Sequence, residues 1–307
     1  MESIRVFAPA TVANVSCGFD AMAFALDTLG DEMIFQKNAT GKVSISSVEG
    51  AKLPMDIKKN AASVVTQKIL NDSKANFGVD IKICKGYKPG SGLGSSAASS
   101  AGAAFAVNQL LHNPYSPLEL VKYAMLGEEI ACGTPIADNV GAAIYGGFVL
   151  IRSYYPLDVI SIPTPKELFA TVIHPQIEVK TEDARNVLPK ELPLKSAVAQ
   201  WANVGGLISG LHSGDYDLIG RSLVDVVAEP FRKQFIPHFN RLKEDVIAAG
   251  ALGAGISGSG PSVYALSKGE EQAGKVAEVM KEIYRNTGIG HHVYISSIGN
   301  QGVRIIE

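Results

Sequence analysis

A glycine- and serine-rich segment at residues 89–98, Pro-Gly-Ser-Gly-Leu-Gly-Ser-Ser-Ala-Ala, is the part of the sequence best suited to hold an anion. Its glycines, Gly90, Gly92 and Gly94, let the backbone adopt positive φ angles and approach a ligand closely. A strand-like run precedes the segment and a helix-like run follows it, so the amide groups of the helix's first turn would face the anion. The segment therefore predicts an oligophosphate site, with the hydroxyls of Ser95 and Ser96 available to a phosphate or a metal ion.

The pattern of this segment does not by itself select one class of phosphate site. No Gly-Lys-Ser/Thr follows, which excludes a Walker A loop. Gly92, Gly94 and Ala97 match a variant of the dinucleotide fingerprint, so a nucleotide-dependent oxidoreductase is an alternative, although residues 97–109 contain no acidic residue. A second match to this fingerprint, from Gly253 to Gly258, leads into a strand rather than a helix. The glycine pattern alone therefore does not identify a dinucleotide site.

An acidic residue interrupts the apolar face of a predicted helix that begins at residue 117. Leu118, Val121, Met125 and Glu128 share one face at helical spacing. A carboxylate in an apolar stripe is costly unless it is paired or bound to a metal ion. Glu129 borders the same stripe, so spacing alone does not choose between the two carboxylates.

The elements that must position these groups alternate between strand and helix without a regular βαβ period. Strands are predicted at residues 4–7, 33–35, 43–46, 79–83, 262–266 and 291–296, and a turn followed by a strand at 139–151. Helices are predicted at residues 60–70, 95–111, from 117 onward behind a capping box formed by Ser116 and Glu119, and at 196–211, 215–228, 238–249 and through 276–283. The order indicates an α+β fold with mixed or antiparallel sheets. Prolines at 156, 163 and 165 suggest two domains, residues 1–155 and 156–307.

The amino-acid composition excludes several classes of protein. The 307 residues carry 28 Lys+Arg against 30 Asp+Glu, a formal net charge of −2, and 46% are hydrophobic, which excludes intrinsic disorder. The balanced charge predicts no nucleic-acid partner and no anionic membrane partner. The first ten residues lack the plan of a signal peptide, and no apolar stretch exceeds about ten residues, so a cytoplasmic protein is expected. The three cysteines, Cys17, Cys84 and Cys132, form no disulfide or zinc pattern.

Three blocks in fixed order resemble the GHMP small-molecule kinases. They are residues 8–20, Ala-Pro-Ala-Thr-Val-Ala-Asn-Val-Ser-Cys-Gly-Phe-Asp, residues 89–98, and residues 255–262, Gly-Ile-Ser-Gly-Ser-Gly-Pro-Ser. The first block is most similar to the branch that phosphorylates L-homoserine. The resemblance implies a two-domain α+β enzyme with ATP and Mg²⁺ as cofactors, which transfers the γ-phosphoryl group of ATP to the substrate hydroxyl, a step toward threonine. It also implies a homodimer. Another small hydroxylated substrate and a non-catalytic relative are the alternatives within the superfamily.

The resemblance also implies the site residues. It places the nucleotide against Asn60, Pro89, Gly90, Ser91, Gly92, Leu93, Gly94, Ser95 and Ser96. It selects Glu128 over Glu129 as the Mg²⁺ ligand, together with Ser96, and it makes Ser96, Glu128 and Asp138 the catalytic residues. The residues implied to contact the amino-acid substrate are Asn14, Asp20, Asp138, Thr181, Arg185, Arg232 and Gly258.

One position departs from the pattern of the homoserine-phosphorylating branch. A histidine is usual two residues before the aspartate that matches Asp138, whereas this chain has Ile136. The resemblance assigns no general base. Asp20 and Asp138 are candidates for accepting a proton, and either could instead hold the substrate ammonium group.

Overall fold

The computed structural model describes residues 2–306. The strands in this range are β1 (Ser3–Ala13), β2 (Met22–Asn38), β3 (Val43–Glu49), β4 (Gly78–Cys84), β5 (Phe148–Tyr154), β6 (Leu157–Ile162), β7 (Leu168–Pro175), β8 (Gly253–Ile256), β9 (Val263–Lys268), β10 (His291–Ser297) and β11 (Arg304–Ile305). The helices are α1 (Ala61–Asp72), α2 (Ser95–Leu110), α3 (Pro117–Cys132), α4 (Asp138–Tyr145), α5 (Thr181–Asn186), α6 (Leu194–Ser213), α7 (Tyr216–Ser222), α8 (Glu229–Arg232), α9 (Phe239–Ala248) and α10 (Glu270–Arg285), with short 3₁₀ helices at Ser16–Gly18 and Lys233–Phe235.

The strands form two sheets. The first runs in the order β11-β1-β2-β4-β3, with β5 and β6 attached beside β2, and the second runs in the order β10-β7-β9-β8. In the first sheet Ile81 of β4 lies opposite Phe35 in an antiparallel pair and opposite Ile45 in a parallel pair. The second sheet is antiparallel throughout. The α+β fold with mixed and antiparallel sheets is therefore confirmed.

Helix α2 lies at the centre of the first half of the molecule and is buried on nearly every side. Its side chains are mostly alanine and serine, which let neighbouring elements approach its backbone closely. A Cβ atom added at Gly102 would lie 2.6 Å from the sulfur of Met33 on β2, and one added at Gly127 of α3 would collide with Ser100. Small residues at these crossings thus bring α3 against the first turns of α2.

The helix predicted to open behind Ser116 begins as expected. The Ser116 hydroxyl accepts a hydrogen bond from the amide of Glu119, whose carboxylate accepts one from the amide of Ser116. This capping box, with Pro117 in the first turn, fixes where α3 starts.

Two predicted elements are wrong. In the segment 139–151 the predicted strand is observed from Phe148 onward as β5, but residues 138–145 form helix α4 rather than a turn. Gly141 lies against the side chains of β5, and burial of Val140 and Ala143 outweighs the low helix propensity of glycine. The helix predicted at 215–228 ends at Ser222, since the Asp225 side chain accepts hydrogen bonds from the amides that a continuing helix would have used.

The domain boundary after residue 155 stays a prediction. Tyr155, which is 92% exposed, lies in the turn between β5 and β6, and both strands belong to the first sheet. Strand β11 returns from the second half of the chain to pair with β1. Within residues 2–306 no helix combines the length and the apolarity that crossing a membrane requires.

Candidate active site

A cavity of about 490 Å³ opens between the two halves of the chain. Its volume is in the range of small-molecule binding pockets. Most of the residues predicted to bind nucleotide or substrate line it: Asn14, Asp20, Asn60, Pro89, Gly90, Gly92, Gly94, Ser95, Ser96, Glu128, Asp138, Arg185, Arg232 and Gly258.

The glycine-rich segment forms one wall of this cavity. Gly90, Gly92 and Gly94 all have positive φ, at 75°, 81° and 63°, and Gly94 immediately precedes α2. A Cβ atom at Gly92 would lie 2.6 Å from the carbonyl oxygen of Gly260, so this part of the loop has no space for a larger residue. Ser95 and Ser96, at the start of α2, therefore line the cavity next to a loop whose positive φ angles favour glycine at three positions.

The side chains of Ser91 and Leu93 do not line the cavity, because both are buried in the protein behind the loop. Their backbones hold the loop instead. The carbonyl of Leu93 accepts a hydrogen bond of 3.1 Å from the amide of Thr11, and that of Ser91 accepts one of 3.2 Å from Ser262. Any contact of these two residues with a nucleotide is thus through the backbone.

A buried ion pair beneath the loop was missed by sequence reasoning. The side chains of Lys85 and Asp31 are fully buried and paired, and the Lys85 ammonium also donates to the carbonyl of Ser95 at 3.0 Å. Burial raises the pKa of Asp31 and lowers that of Lys85, while the attraction between them opposes both shifts. The pair fixes the first turn of α2. Lys85 directly follows strand β4 in the sequence, and only its burial reveals this role.

Glu128 faces the cavity from α3, opposite the first turn of α2. Its side chain is 5% exposed, and its Oε1 atom has no hydrogen-bond partner among the described residues. Burial raises the pKa of Glu128 to about 7, against the lowering influence of Ser96. Glu129 is exposed and does not line the cavity, so the structure distinguishes two carboxylates that spacing could not.

Asp138, in the first turn of α4, is the second buried carboxylate of the cavity. Its Oδ1 atom accepts a hydrogen bond of 2.6 Å from the amide of Asn139, whose own side-chain oxygen accepts one of 2.7 Å from the Thr11 hydroxyl. Burial raises the pKa of Asp138 to about 7, and the negative charge of Asp20 adds to this. Asn139 also lines the cavity and was not predicted.

The carbonyl oxygen of Gly258 joins two distant predicted residues. It accepts hydrogen bonds from the side-chain amide of Asn14 at 2.7 Å and from Arg232 at 3.0 Å. Arg232 also donates to the carbonyl of Ala184 at 2.9 Å and lies over the ring of Phe19. Its guanidinium group is thereby held at the cavity wall in one orientation.

Arg185 and Asp20 form a more exposed pair at the cavity, with 3.3 Å between Nη1 and Oδ2. Thr181 begins α5, but its side chain lies outside the described residues. Of the predicted substrate residues, the structure therefore brings together every one whose side chain is described.

Asn60 lines the cavity, yet its side chain is committed to the fold. It accepts hydrogen bonds from the amides of Ala62 and Ser63 as the N-cap of α1 and donates to the carbonyl of Pro54. The cavity wall also includes Lys59, Cys132 and Ile136, of which the first two were not predicted.

The cavity thus combines three chemical features. A loop and helix N-terminus offer amide donors to phosphate oxygens. Buried carboxylate and hydroxyl oxygens suit a hard divalent cation, and paired acidic and basic groups suit a zwitterion. No cluster of three or more metal-binding side chains occurs in the described range, so a cation here would also need ligands from a bound molecule.

Comparisons with known proteins agree with this chemistry. The family model for the GHMP kinases N terminal domain matches residues 57–147, and that for the GHMP kinases C terminal domain matches residues 207–286. A homoserine kinase from Chlorobium phaeobacteroides is 47% identical over 100% of both chains, and one from Chlorobaculum tepidum is 46% identical over 100% of this chain and 99% of its own. The crystal structure of a homoserine kinase from Cytophaga hutchinsonii matches with a TM-score of 0.96 at 49% identity, covering 100% of this chain and 98% of that one.

Proposed function

The chain belongs to the homoserine kinases of the GHMP kinase family, and we infer that it transfers the γ-phosphoryl group of ATP to the hydroxyl of L-homoserine. The observation that carries this inference within the structure is one cavity that holds both an amide-lined anion loop and a set of groups complementary to an amino acid. The oxidoreductase alternative is wrong, because the chain is a small-molecule kinase. In addition, helix α2 after the loop is followed by helix α3, whereas a dinucleotide-binding βαβ unit would continue into a strand paired in parallel with β4.

We propose that the triphosphate of ATP lies along residues 89–96 at the N-terminus of α2. The loop amides and the helix dipole would stabilise charge on the phosphate oxygens, which is the main requirement of phosphoryl transfer. Asn60 would border the nucleotide through its backbone, since its side chain is occupied in capping α1. The position of the nucleoside stays a prediction.

Mg²⁺ would be held by Glu128 and Ser96, and the residues present fit this cation. Glu128 offers a buried carboxylate oxygen that has no described partner, beside the hydroxyl of Ser96. Mg²⁺ in kinases is commonly bound by one or two protein ligands together with phosphate oxygens and water, so a full protein cage is not required. When bound, the cation would neutralise charge between the phosphates.

The amino-acid substrate would lie in the part of the cavity that is lined by Asn14, Asp20, Asp138, Arg185 and Arg232. Arg232 and Arg185 suit the substrate carboxylate, because a guanidinium group matches a carboxylate in geometry as well as charge. Asp20, Asp138 and the polar groups of Asn14 suit the ammonium group. Thr181 and the backbone of Gly258 would complete the site. Holding homoserine with its hydroxyl toward the phosphate supplies the positioning on which this reaction depends.

Asp138 has two possible roles that its geometry supports equally. With a pKa of about 7 it could accept the hydroxyl proton at neutral pH, or its carboxylate could bind the ammonium group. Both roles require the ionised form, so activity should fall as the pH decreases below about 7.

Replacing Asp138 by asparagine should stabilise the ligand-free protein while lowering activity. The raised pKa means that the folded protein keeps a proton between about pH 4 and 7 that the unfolded chain has lost, so stability falls as the pH rises through this window. Asparagine does not ionise, so the variant does not lose stability in this way. Its free energy of unfolding should exceed that of the wild type by about 2–4 kcal/mol at pH 8 and by less at pH 5. Urea unfolding at both pH values measures this, with the exposed Asp217→Asn as control. An equal difference at the two pH values would argue against a raised pKa.

A coupled assay for ADP release tests the function directly. We expect Mg²⁺-dependent ADP production with L-homoserine and much less with mevalonate, galactose or shikimate. Preference for one of the other three alcohols would redirect the substrate assignment. The replacement of the usual histidine by Ile136 makes this comparison informative, because Ile136 lines the cavity and offers no hydrogen bond. We place the reaction in the cytoplasm, where ATP and free amino acids are present.

We further propose a homodimer formed through the exposed face of α6. Leu194, Val198 and Trp201 are 73%, 46% and 58% exposed and lie on one side of the helix. Gly205 is on the same side, and a Cβ atom there would meet nothing within 4 Å. In a twofold-symmetric dimer the ring of Trp201 from one copy can pack over Gly205 of the other. An exposed apolar patch of roughly a few hundred Å² commonly marks such an interface.

Trp201→Glu should convert this dimer into a monomer, because the substitution places a charge in the apolar contact of both copies. Light scattering coupled to gel filtration measures the mass, and Tyr155→Glu, at an exposed aromatic residue elsewhere, is the control. A wild-type monomer, or a Trp201→Glu variant that remains dimeric, would exclude α6 as the interface.

A further inference from the structure

Gln200, on α6, joins two segments that carry substrate residues, although it does not line the cavity itself. Its Nε2 atom donates hydrogen bonds to the carbonyl of Cys17 at 2.8 Å and to the carboxylate of Asp225 at 3.1 Å. Its Oε1 atom accepts a hydrogen bond of 3.0 Å from the amide of Val226. The half-buried side chain of Gln200 therefore makes all three of these hydrogen bonds, two as donor and one as acceptor, with residues outside its own helix.

The first of these segments is the turn that contains Cys17. The turn runs from Asn14 to Asp20, and both of these residues line the cavity. Asn14, Val15, Ser16 and Asp20 have positive φ, at 73°, 41°, 54° and 54°. Such a backbone is strained for residues other than glycine, and for a β-branched residue in particular, so it persists only when surrounding contacts hold it. The hydrogen bond from Gln200 is one such contact.

The second segment leads into α8, which ends with Arg232. The Asp225 carboxylate accepts hydrogen bonds from the amides of Val227, Ala228 and Glu229, at 2.7, 2.9 and 2.9 Å. It thereby fixes the start of the short helix that carries Arg232. Gln200 donates to this same carboxylate, so it links the turn at Cys17 directly to the segment that leads into α8.

We propose that Gln200 is a positioning residue for the amino-acid substrate. It fixes the distance between the groups of Asn14 and Asp20, which face the substrate ammonium, and the guanidinium of Arg232, which faces its carboxylate. This inference rests on the proposed homoserine kinase function. It makes no claim on the nucleotide, because the phosphate loop is held by separate contacts to Thr11, Ser262 and Lys85.

Three substitutions at Gln200 separate its hydrogen bonds. Methionine matches its length and makes none of them. Lysine keeps a donor for the Cys17 carbonyl and for Asp225 but cannot accept from Val226, and glutamate keeps the acceptor but places a second carboxylate against Asp225. Gln272→Met is the matched control, since Gln272 of α10 donates to the carbonyl of Ala249 and neither residue lines the cavity.

The test is steady-state kinetics of each full-length variant with homoserine and ATP varied separately. We expect Gln200→Met to raise the KM for homoserine about tenfold while the KM for ATP and kcat change by less than about twofold. Gln200→Lys should recover part of the loss and Gln200→Glu none of it. Gln272→Met should change thermal stability and neither KM. If the methionine variant does not fold, the comparison of wild type with Gln200→Lys carries the test.

An unchanged KM for homoserine in a folded Gln200→Met or Gln200→Lys variant would overturn the proposal. Equal increases in the KM for homoserine and the KM for ATP would also overturn it, because a merely structural residue would affect the binding of both ligands or of neither. Failure of the proposed function is distinguishable: it would appear as absent homoserine phosphorylation in the wild-type enzyme.

Discussion

Glu128→Gln is expected to lower kcat by at least about a thousandfold, because it removes a buried carboxylate that lines the cavity beside Ser96. Glutamine keeps the shape of the side chain but carries no negative charge, so a Mg²⁺ ion held by this residue would lose its anionic protein ligand. The Oε1 atom of Glu128 has no described partner, and the substitution therefore breaks no internal hydrogen bond of that atom. A coupled ADP-release assay over a range of Mg²⁺ concentrations measures the effect.

The neighbouring residue supplies the control for this prediction. Glu129→Gln changes the same charge one position along α3, at an exposed side chain outside the cavity, and should leave turnover unchanged. The free energy of unfolding of Glu128→Gln should equal or exceed that of the wild type at pH 8, since a carboxylate whose pKa is raised to about 7 by burial costs stability when ionised. Turnover close to that of the wild type would remove Glu128 from the cation site.

Arg232→Ala is expected to lower kcat/KM for homoserine by about a hundredfold to a thousandfold, with the KM for ATP nearly preserved. Arg232 is 4% exposed and held by the carbonyls of Ala184 and Gly258, so its charge is fixed at the end of the cavity where we propose that the substrate carboxylate binds. Arg232→Lys keeps the charge without the planar pair of donors and should recover only part of the activity. Arg241→Ala, at an exposed arginine of α9, should have no effect.

A substrate analogue identifies the group that Arg232 recognises. 3-Aminopropan-1-ol is homoserine without its carboxylate. The wild-type enzyme should strongly prefer homoserine over this amino alcohol, and Arg232→Ala should lose most of that preference. A general loss of activity with both compounds, accompanied by a higher KM for ATP, would mean that Arg232 acts only by holding Ala184 and Gly258 in place.

Local rules predicted the parts of the site that are continuous in sequence. The glycine loop, the alternating strand before it and the capping box at Ser116 each depend on residues a few positions apart, and each is observed. Helix α4 lies where a turn is predicted, because its glycine and asparagine disfavour helix locally, whereas packing against β5 decides the outcome.

The assembly of the site could not be derived from spacing. Asn14 and Gly258 are 244 positions apart and meet through one hydrogen bond. Likewise, the buried pair of Lys85 and Asp31 requires knowledge of how β4 lies against β2. Family resemblance implied the substrate residues. It offered nothing for Asn139, which lines the cavity, or for Lys85 and Gln200, which do not line it.

The close fit around α2 has a consequence for how this protein can vary. The six alanines of this helix are packed on almost every side, so an added methyl or larger group has little free volume to enter. Overfilling such positions typically costs about 1–3 kcal/mol, a large share of the stability of an ordinary domain. In a saturation library, then, α2 should be among the segments least tolerant of larger side chains, and substitutions across homologues should be rare there for reasons of volume as much as of chemistry.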